Sequence, residues 1–150
     1  MKRLLLAAMV VVAGVSGQAS ANCTDNRVAQ NNLRSLLAGN TVCGERGSGA
    51  SLERWQEEHL GTGNGASALW DFKLGAGHPV DPRKQVGTWE ASNGAGATVS
   101  YIYTGSATTY SYAVYRVGTT DRYSFCNSPG GTEVVQVRVQ TGTGAGCTSY

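Results

Sequence analysis

Tyrosines are concentrated in one stretch of the chain, where six of the seven fall between positions 101 and 123. Tyr101 and Tyr103 are two residues apart and share one face of an extended strand, and Tyr110 and Tyr112 do the same on the next strand. Such rings stack across strands as pairs worth about 0.2–1 kcal/mol each. Two interpretations stay open. Tyrosine suits a half-buried strand, or the rings form a wall that binds a flat, apolar or sugar ligand.

The chain has two histidines, His59 and His78, and Asp71 is among the carboxylates near them in sequence. Two imidazoles and a carboxylate are a ligand set for zinc, copper or iron, and they can also act as general acid and base. Neither H-E-x-x-H nor a comparable spacing is present, and the run Glu57-Glu58-His59 is typical of a solvated surface. A metal site of His59, His78 and Asp71 is therefore the alternative hypothesis.

No other motif indicates catalysis. The Gly-x-Ser-x-Gly pattern of serine hydrolases is absent from the sequence. The glycine-rich runs lack the lysine and the strand-to-helix setting of a phosphate-binding loop. The sequence thus predicts no catalytic residue and no cofactor.

The segment from Trp70 to Pro82 mixes aromatic residues, charges and a histidine with two prolines in one long connection. Binding groups tend to lie on long ordered loops that a rigid sheet supports, although such a loop can also merely cover one end of the sheet. The predicted ligand-binding side chains combine this loop with the tyrosine cluster: Trp70, His78, Tyr101, Tyr103, Tyr110 and Tyr112.

Period-two alternation predicts the strands that must position these side chains, over 87–91, 98–104, 109–116, 122–127 and 133–140. Segment 68–74 alternates in the same way, whereas 51–60 fits either helical turns or an irregular strand. Thr24 or Asp25 can cap a helix that runs to about residue 38, with Gly39 as its C-terminal glycine. The predicted fold is mainly β, an antiparallel meander or small barrel with one N-terminal helix over about 24–38.

Gly87-Thr88-Trp89, at the head of the meander, resembles the Gly-x-Trp start of the first strand in lipocalins and related small barrels. The resemblance implies that Trp89 packs across the closed end of a ligand-holding barrel. It also implies that strands before Trp89 complete the barrel, because only about 60 residues follow it. As a whole the chain resembles small exported proteobacterial proteins, a likeness that implies no site residues.

The first 21 residues have the features of a secretory signal peptide. Lys2 and Arg3 precede an apolar run over 4–15, and Ala19-Ser20-Ala21 offers the small-x-small cleavage pattern. We therefore predict that residues 1–21 are removed and that residues 22–150 form one secreted or periplasmic domain. The apolar run is too short to span a bilayer as a stable helix, so no membrane anchor is expected after cleavage.

The number and distribution of charged residues do not favour a polyanionic partner such as a nucleic acid. The full chain has 12 basic and 10 acidic residues, and removal of Lys2 and Arg3 leaves ten of each. These charges are scattered, whereas nucleic-acid binding needs a basic patch that displaces counterions. We expect no nucleic-acid partner.

The even number of cysteines in an exported chain predicts two disulfides. Three pairings of Cys23, Cys43, Cys126 and Cys147 are possible. We favour Cys23–Cys43 and Cys126–Cys147, because each pair flanks one local unit. Each would close about 20 residues and contribute about 3 kcal/mol in the chain-entropy model.

These features together predict an exported, non-catalytic binding domain. Its partner would be either a small apolar or aromatic molecule, which the domain carries, or an extracellular protein. An enclosed apolar cavity favours the carrier, and an exposed aromatic patch of several hundred Å² favours a protein interface. The alternative is a metal-dependent or acid–base enzyme that uses His59, His78 and nearby carboxylates.

Overall fold

Eight antiparallel strands form one closed barrel in the computed structural model, which describes residues 23–75 and 82–150. The elements are α1 (Gln30–Leu37), β1 (Asn40–Arg46), a short 3₁₀ turn (Gly49–Ser51), β2 (Glu53–His59), β3 (Ser67–Gly75), β4 (Lys84–Ala91), β5 (Val99–Tyr103), β6 (Thr109–Arg116), β7 (Arg122–Cys126) and β8 (Glu133–Thr141). Each strand pairs with the next, and β1 pairs with β8. The mainly-β prediction is confirmed, and its barrel form is the one observed. The predicted signal peptide and His78 lie outside the described residues.

Side chains alternate between the barrel interior and its outer wall. In β4, Trp89 is buried while its neighbour Glu90 is exposed, and in β5 Tyr101 is buried while Ile102 is 47% exposed. Val137 of β8 occupies the same interior core as Trp89 and Tyr101. The period-two pattern of these strands therefore reports directly which residues fill the barrel.

The segment 51–60, for which the sequence left helix and strand open, contains strand β2. Trp55, Glu57 and His59 point inward, whereas Gln56 and Glu58 point to the outer wall. Polar residues on both faces hide the alternation from sequence analysis. The interpretation of this run as solvated surface is wrong, because Glu58 and His59 are fully buried.

The N-terminal helix is shorter than predicted and begins at Gln30 instead of near residue 24. Its N-cap position is Ala29, which makes no side-chain capping bond. Residues 26–28, just before the helix, pair with the end of β6, where the Val28 N–H donates to the Val114 carbonyl at 2.8 Å. Backbone groups that pair with a strand are unavailable for helical hydrogen bonds, so neither Thr24 nor Asp25 starts the helix.

The helix ends where the sequence predicts. Gly39 follows it with φ of +72°, a left-handed conformation that glycine adopts without a steric cost. The Gly39 N–H donates to the His59 carbonyl at 2.8 Å and ties the helix to the end of β2. Within the described residues, no helix is long and apolar enough to cross a bilayer.

Helix α1 covers one end of the barrel, which we call the helix end. Leu33 and Leu37 are fully buried and belong to the same core as Trp89. Arg34 Nη2 donates to the Ala91 carbonyl at 3.1 Å, which fixes the helix to the end of β4. The opposite end, the far end, is where β1, β3, β5 and β7 finish.

Trp89 is the largest buried side chain at the helix end, as expected for a core residue. Its indole N–H donates to the Leu60 carbonyl at 2.9 Å, and its ring lies against Gly63, where a Cβ would overlap the ring. Its strand is the fourth of the barrel, preceded by β1, β2 and β3. The strands needed before Trp89 are therefore present, although lipocalins carry this motif in their first strand.

Two disulfides form, but the favoured pairing is wrong. The bridges are Cys23–Cys126 and Cys43–Cys147, with Cα atoms 6.0 and 5.9 Å apart. Each bridge joins a terminal segment to the outer wall of the barrel, over sequence separations of 103 and 104 residues. Closeness in sequence is a poor guide here, because barrel closure brings the chain ends beside distant strands.

The C-terminal tail, residues 142–150, covers the outside of β1 and β2. The Gly144 N–H donates to Glu58 Oε1 at 2.6 Å, and the Cys147 N–H donates to Gln56 Oε1 at 2.9 Å. Thr41 Oγ1 donates to the Gly142 carbonyl at 2.7 Å. The tail thus supplies hydrogen-bond partners to polar side chains that it buries.

We expect the exported protein to contain no free thiol. Peptide mapping without reduction should recover Cys23 linked to Cys126 and Cys43 linked to Cys147. Replacing Cys43 and Cys147 together by alanine should lower the free energy of unfolding by about 2–5 kcal/mol, measured by urea denaturation. Recovery of a Cys23–Cys43 peptide would contradict the observed pairing.

Trp89→Ala should lower the free energy of unfolding by about 3–5 kcal/mol, because it removes a buried indole and leaves a cavity. Denaturant titration measures the loss. Trp70→Ala is the matched control, since that ring lies half-buried on the outer wall, and its cost should be smaller. A loss below about 1 kcal/mol for Trp89→Ala would be inconsistent with a core position.

Candidate functional site

The four tyrosines singled out in the sequence meet on one interior wall of β5 and β6. Ring centroids lie 6.3 Å apart for Tyr101 and Tyr103, 6.0 Å for Tyr101 and Tyr112, and 5.8 Å for Tyr103 and Tyr110. Phe125 of β7 extends the wall, 6.0 Å from Tyr112. These contacts form a continuous aromatic surface, which we call the tyrosine wall.

Exposure increases along the tyrosine wall from the core toward solvent. Tyr101 is 2% exposed, Tyr103 and Tyr112 are half-buried, and Tyr110 is 41% exposed. The two interpretations of the cluster therefore apply to different rings. Tyr101 is a core residue, and the remaining three present aromatic surface toward the far end.

His59 is fully buried at the inner end of the tyrosine wall. Its Nε2 lies 2.9 Å from the Tyr101 hydroxyl, and its Nδ1 lies 3.2 Å from the Glu57 carbonyl. A carbonyl can only accept, so Nδ1 carries the proton and the Tyr101 hydroxyl donates to Nε2. Burial lowers the pKa of His59 to about 3, so the ring is neutral at physiological pH.

The Trp89 ring also packs against the His59 ring. The two ring centroids are 4.9 Å apart in an edge-to-face arrangement. The centroid of the Tyr101 ring, on the strand next to that of Trp89, lies 5.6 Å from the His59 centroid. Both ring nitrogens of His59 thus have partners and its faces contact aromatic rings. His59 is therefore a buried, neutral residue of the barrel interior, and these contacts indicate a structural role.

Two carboxylates lie opposite the tyrosine wall at the far end. Glu57 of β2 and Asp71 of β3 are directly paired in register and share the inward face. The Tyr103 hydroxyl donates to Glu57 Oε1 at 2.7 Å. Burial, and then the charge of Glu57, raises the pKa of Tyr103, and the same two causes raise the pKa of Tyr112. The phenol groups therefore stay protonated and face a region of negative potential.

Glu57 was not predicted as a site residue. Its two-residue spacing from Trp55 and from His59 indicates that the three side chains share one face. This spacing is informative only once β2 is known to be a strand. Trp55 itself packs flat over Gly44 of the neighbouring strand, where any Cβ would overlap the indole. That glycine makes room for an aromatic ring on the inward face of β2.

Trp70 lies apart from the tyrosine wall. It pairs in register with Glu58 and shares that residue's outward face. The Arg83 guanidinium lies 4.5 Å from the Trp70 ring centroid, and Arg83 Nε donates to Glu58 Oε2 at 2.6 Å. The structure therefore places Trp70 in an outer cluster with Arg83. Of the predicted binding residues that the structure describes, the four tyrosines are brought together and Trp70 is not.

Of the three residues in the metal hypothesis, His59 and Asp71 belong to the described structure and His78 lies outside it. His59 and Asp71 sit on adjacent strands, with both nitrogens of His59 engaged as described above. In residues 23–75 and 82–150, no three histidine, cysteine or acidic side chains are grouped so as to hold a metal ion.

Comparison of the chain with protein-family models, with curated proteins and with solved structures gave no significant match.

Protein stability should fall between neutral and mildly acidic pH because of His59. The unfolded chain binds a proton at this residue near pH 6.5, whereas the folded pKa is about 3. The stability present above pH 6.5 is therefore lost progressively as the pH falls toward 3. From pH 7 to pH 5 the free energy of unfolding should drop by about 2 kcal/mol, measured by denaturant titration at each pH.

His59→Gln should flatten this pH dependence, because glutamine carries no titratable proton. His78→Gln, which replaces the second histidine, is the matched control and should leave the dependence in place. An unchanged pH profile in His59→Gln would show that another group is responsible.

Proposed function

We propose that this protein is an exported, non-catalytic binding domain that holds a small ligand at the far end of its barrel. The ligand has a flat apolar or aromatic body that lies against Tyr103, Tyr110 and Tyr112. The observation that carries the proposal is the gradient of exposure along the tyrosine wall. Tyr103, Tyr110 and Tyr112 are each partly exposed, so a ligand can contact their rings without displacing side chains of the core.

The carboxylates refine the class of ligand. A carboxylate accepts several hydrogen bonds, so Glu57 can take a donor from a ligand in addition to the Tyr103 hydroxyl. Aromatic faces attract cations, by about 0.5–2 kcal/mol depending on desolvation. An amine or other hydrogen-bond donor attached to the flat body fits a site with Glu57 and Asp71 on one side and tyrosine rings on the other.

We prefer the carrier to a protein-binding module because the described surface offers no broad apolar docking patch. The large apolar side chains exposed on the described surface are Ile102, Tyr110 and Val134. Ile102 and Val134 belong to β5 and β8, which are not neighbours in the barrel. Apolar residues that are exposed singly are ordinary on a protein surface and give no docking patch.

The proposed location is the periplasm or the extracellular space, after removal of residues 1–21. Two disulfides stabilise the barrel and leave no free cysteine among the described residues. Disulfides persist in oxidising compartments. This supports the export that the sequence predicts.

Binding is testable with phenethylamine and its uncharged analogue 2-phenylethanol. We expect phenethylamine to bind saturably and more tightly than the alcohol, because the carboxylates favour the charged amine. The combined replacement Tyr103→Thr and Tyr110→Thr should weaken binding at least tenfold, measured by isothermal titration calorimetry. Threonine keeps strand propensity, so the variant should remain folded.

Two variants serve as controls. Tyr150→Thr removes a tyrosine that stacks with Arg54 on the outer wall and should leave binding unchanged. Tyr101→Thr should instead lower the free energy of unfolding by about 3 kcal/mol or more, as for other buried aromatic residues. Absence of saturable binding, or binding that survives the loss of Tyr103 and Tyr110, would refute the proposed site.

Native mass spectrometry of protein purified from its own host tests the function without a chosen probe. A retained small molecule of defined mass supports the carrier. A retained metal ion at one per chain would favour the enzyme alternative, with His78 as a ligand from the part of the chain outside the described structure.

A further inference from the structure

The two disulfides differ in how far their cysteines are exposed. Cys23 and Cys126, which join residues 23–29 to the barrel, are both fully buried. In the other bridge Cys43 is fully buried, whereas Cys147 is partly exposed. An attacking thiol must reach a sulfur atom before it can exchange with a disulfide. Access therefore favours the Cys43–Cys147 bridge, and within it the Cys147 sulfur.

The tail that carries Cys147 is held mainly by polar contacts. No residue from 142 to 150 is fully buried, and none belongs to the barrel core. The Thr148 N–H donates to Gln140 Oε1 at 2.8 Å, and Gln140 Nε2 donates to the Gly146 carbonyl at 3.2 Å. Hydrogen bonds of this kind are replaced by bonds to water when a segment opens, so each contributes little net stability. The disulfide is the one covalent attachment of the tail to the outer wall.

The surface beneath the tail consists largely of polar side chains. Thr41, Gln56 and Glu58 are fully buried there. Gln56 Nε2 meets no acceptor in the described structure, so water would supply a partner if the tail opened. Glu58 would keep its ion pair with Arg83. Opening of the tail thus hydrates polar groups and leaves the apolar interior of the barrel covered, so the strands can stay paired.

The Cys23–Cys126 bridge has different surroundings. Both cysteines form a buried cluster with Ala113 and Tyr115 of β6. Separation of this bridge would expose apolar side chains to water, which is unfavourable. The barrel therefore carries one disulfide set in an apolar cluster and one that ties down a polar, exposed tail.

We propose that Cys147 is a site of thiol–disulfide exchange whose reaction releases the tail from the outer wall. The thiolate of a small thiol attacks the Cys147 sulfur and forms a mixed disulfide there. The bond to Cys43 breaks, and its electron pair stays on the Cys43 sulfur, which takes up a proton. One disulfide replaces another, so the step needs no oxidant or reductant. The released tail uncovers Gln56 and Glu58, and none of this depends on the ligand proposed for the far end.

Reduced glutathione is the probe, applied briefly to the folded protein without denaturant. Free thiols are trapped with N-ethylmaleimide and the peptides are mapped by mass spectrometry. We expect glutathione on Cys147 and maleimide on Cys43, while Cys23 stays linked to Cys126. The Cys43–Cys147 bridge should open about tenfold faster than the other, or more, because its sulfur is accessible.

Hydrogen exchange tests the release of the tail in the same samples. The amides of Gly144 and Thr148 donate to side chains of the outer wall in the closed state. They should exchange faster after reaction with glutathione, because these bonds are lost when the tail opens. The amides of strand β5, on the other side of the barrel, should keep their protection.

Two glutamines of β8 give a matched pair of variants. Gln140→Ala removes a side chain that holds the tail through Gly146 and Thr148, and it should speed the reaction at Cys147. Gln136 lies on the same face of β8 and bonds to Glu133 instead. Gln136→Ala should therefore leave the rate unchanged.

Three results would overturn the proposal. The first is a failure of the Cys43–Cys147 bridge to react in the folded protein, or a reaction no faster than that of Cys23–Cys126. The second is glutathione attached to Cys43 with maleimide on Cys147, which would assign the attack to the other sulfur. The third is unchanged protection of the tail amides after Cys147 has reacted.

Discussion

The hydrogen-bonded pairing of β1 with β8 is the constraint on which the rest of this structure depends. It runs from Asn40 opposite Thr141 to Gly44 opposite Val137 and turns an eight-stranded meander into a closed barrel. Closure leaves no unpaired sheet edge and gives every strand an inward and an outward face. Side chains far apart in sequence, such as His59 and Tyr101, then meet inside the barrel. The segments at 23–29 and 142–150 lie outside the barrel, where each is attached by a disulfide.

The attached segments do more than close loops, because they bury polar groups that need partners. Glu58 and Gln56 on the outer wall would face water without the C-terminal tail. Beneath it they receive backbone N–H donors from Gly144 and Cys147. Glu58 also pairs with Arg83 at 2.6 Å, so its buried charge is compensated. Burial of polar groups is tolerated only when such partners are present, which couples the Cys43–Cys147 bridge to the packing of β2.

The two ends of the barrel differ in chemical character although the predicted mature chain carries equal numbers of basic and acidic residues. At the far end, Glu57 and Asp71 share the barrel interior with tyrosine rings, and the Tyr103 hydroxyl donates to Glu57. At the helix end, an open recess beside α1 is lined by Asn26, Arg116 and Tyr123 among others, and no acidic residue of the described structure belongs to its lining. The chemistry of each end follows from which strand ends gather there, a property of topology and not of composition.

The amino-acid sequence by itself determined the strands with clean alternation, the presence of two disulfides, the glycine that ends the helix and the core position of Trp89. Each of these depends on local spacing or on residue type, which a linear chain records directly. Strand β2, the start of the helix and the disulfide pairing were decided by tertiary structure. Polar residues fill both faces of β2 because the tail covers one face and the barrel interior accepts His59 and Glu57 on the other. Residues 26–28 before α1 pair with β6 instead of joining the helix. The cysteines pair with partners that only barrel closure brings near. Long-range contacts of this kind leave no periodic signal in the sequence, and they overrode the local preferences on which the wrong predictions were based.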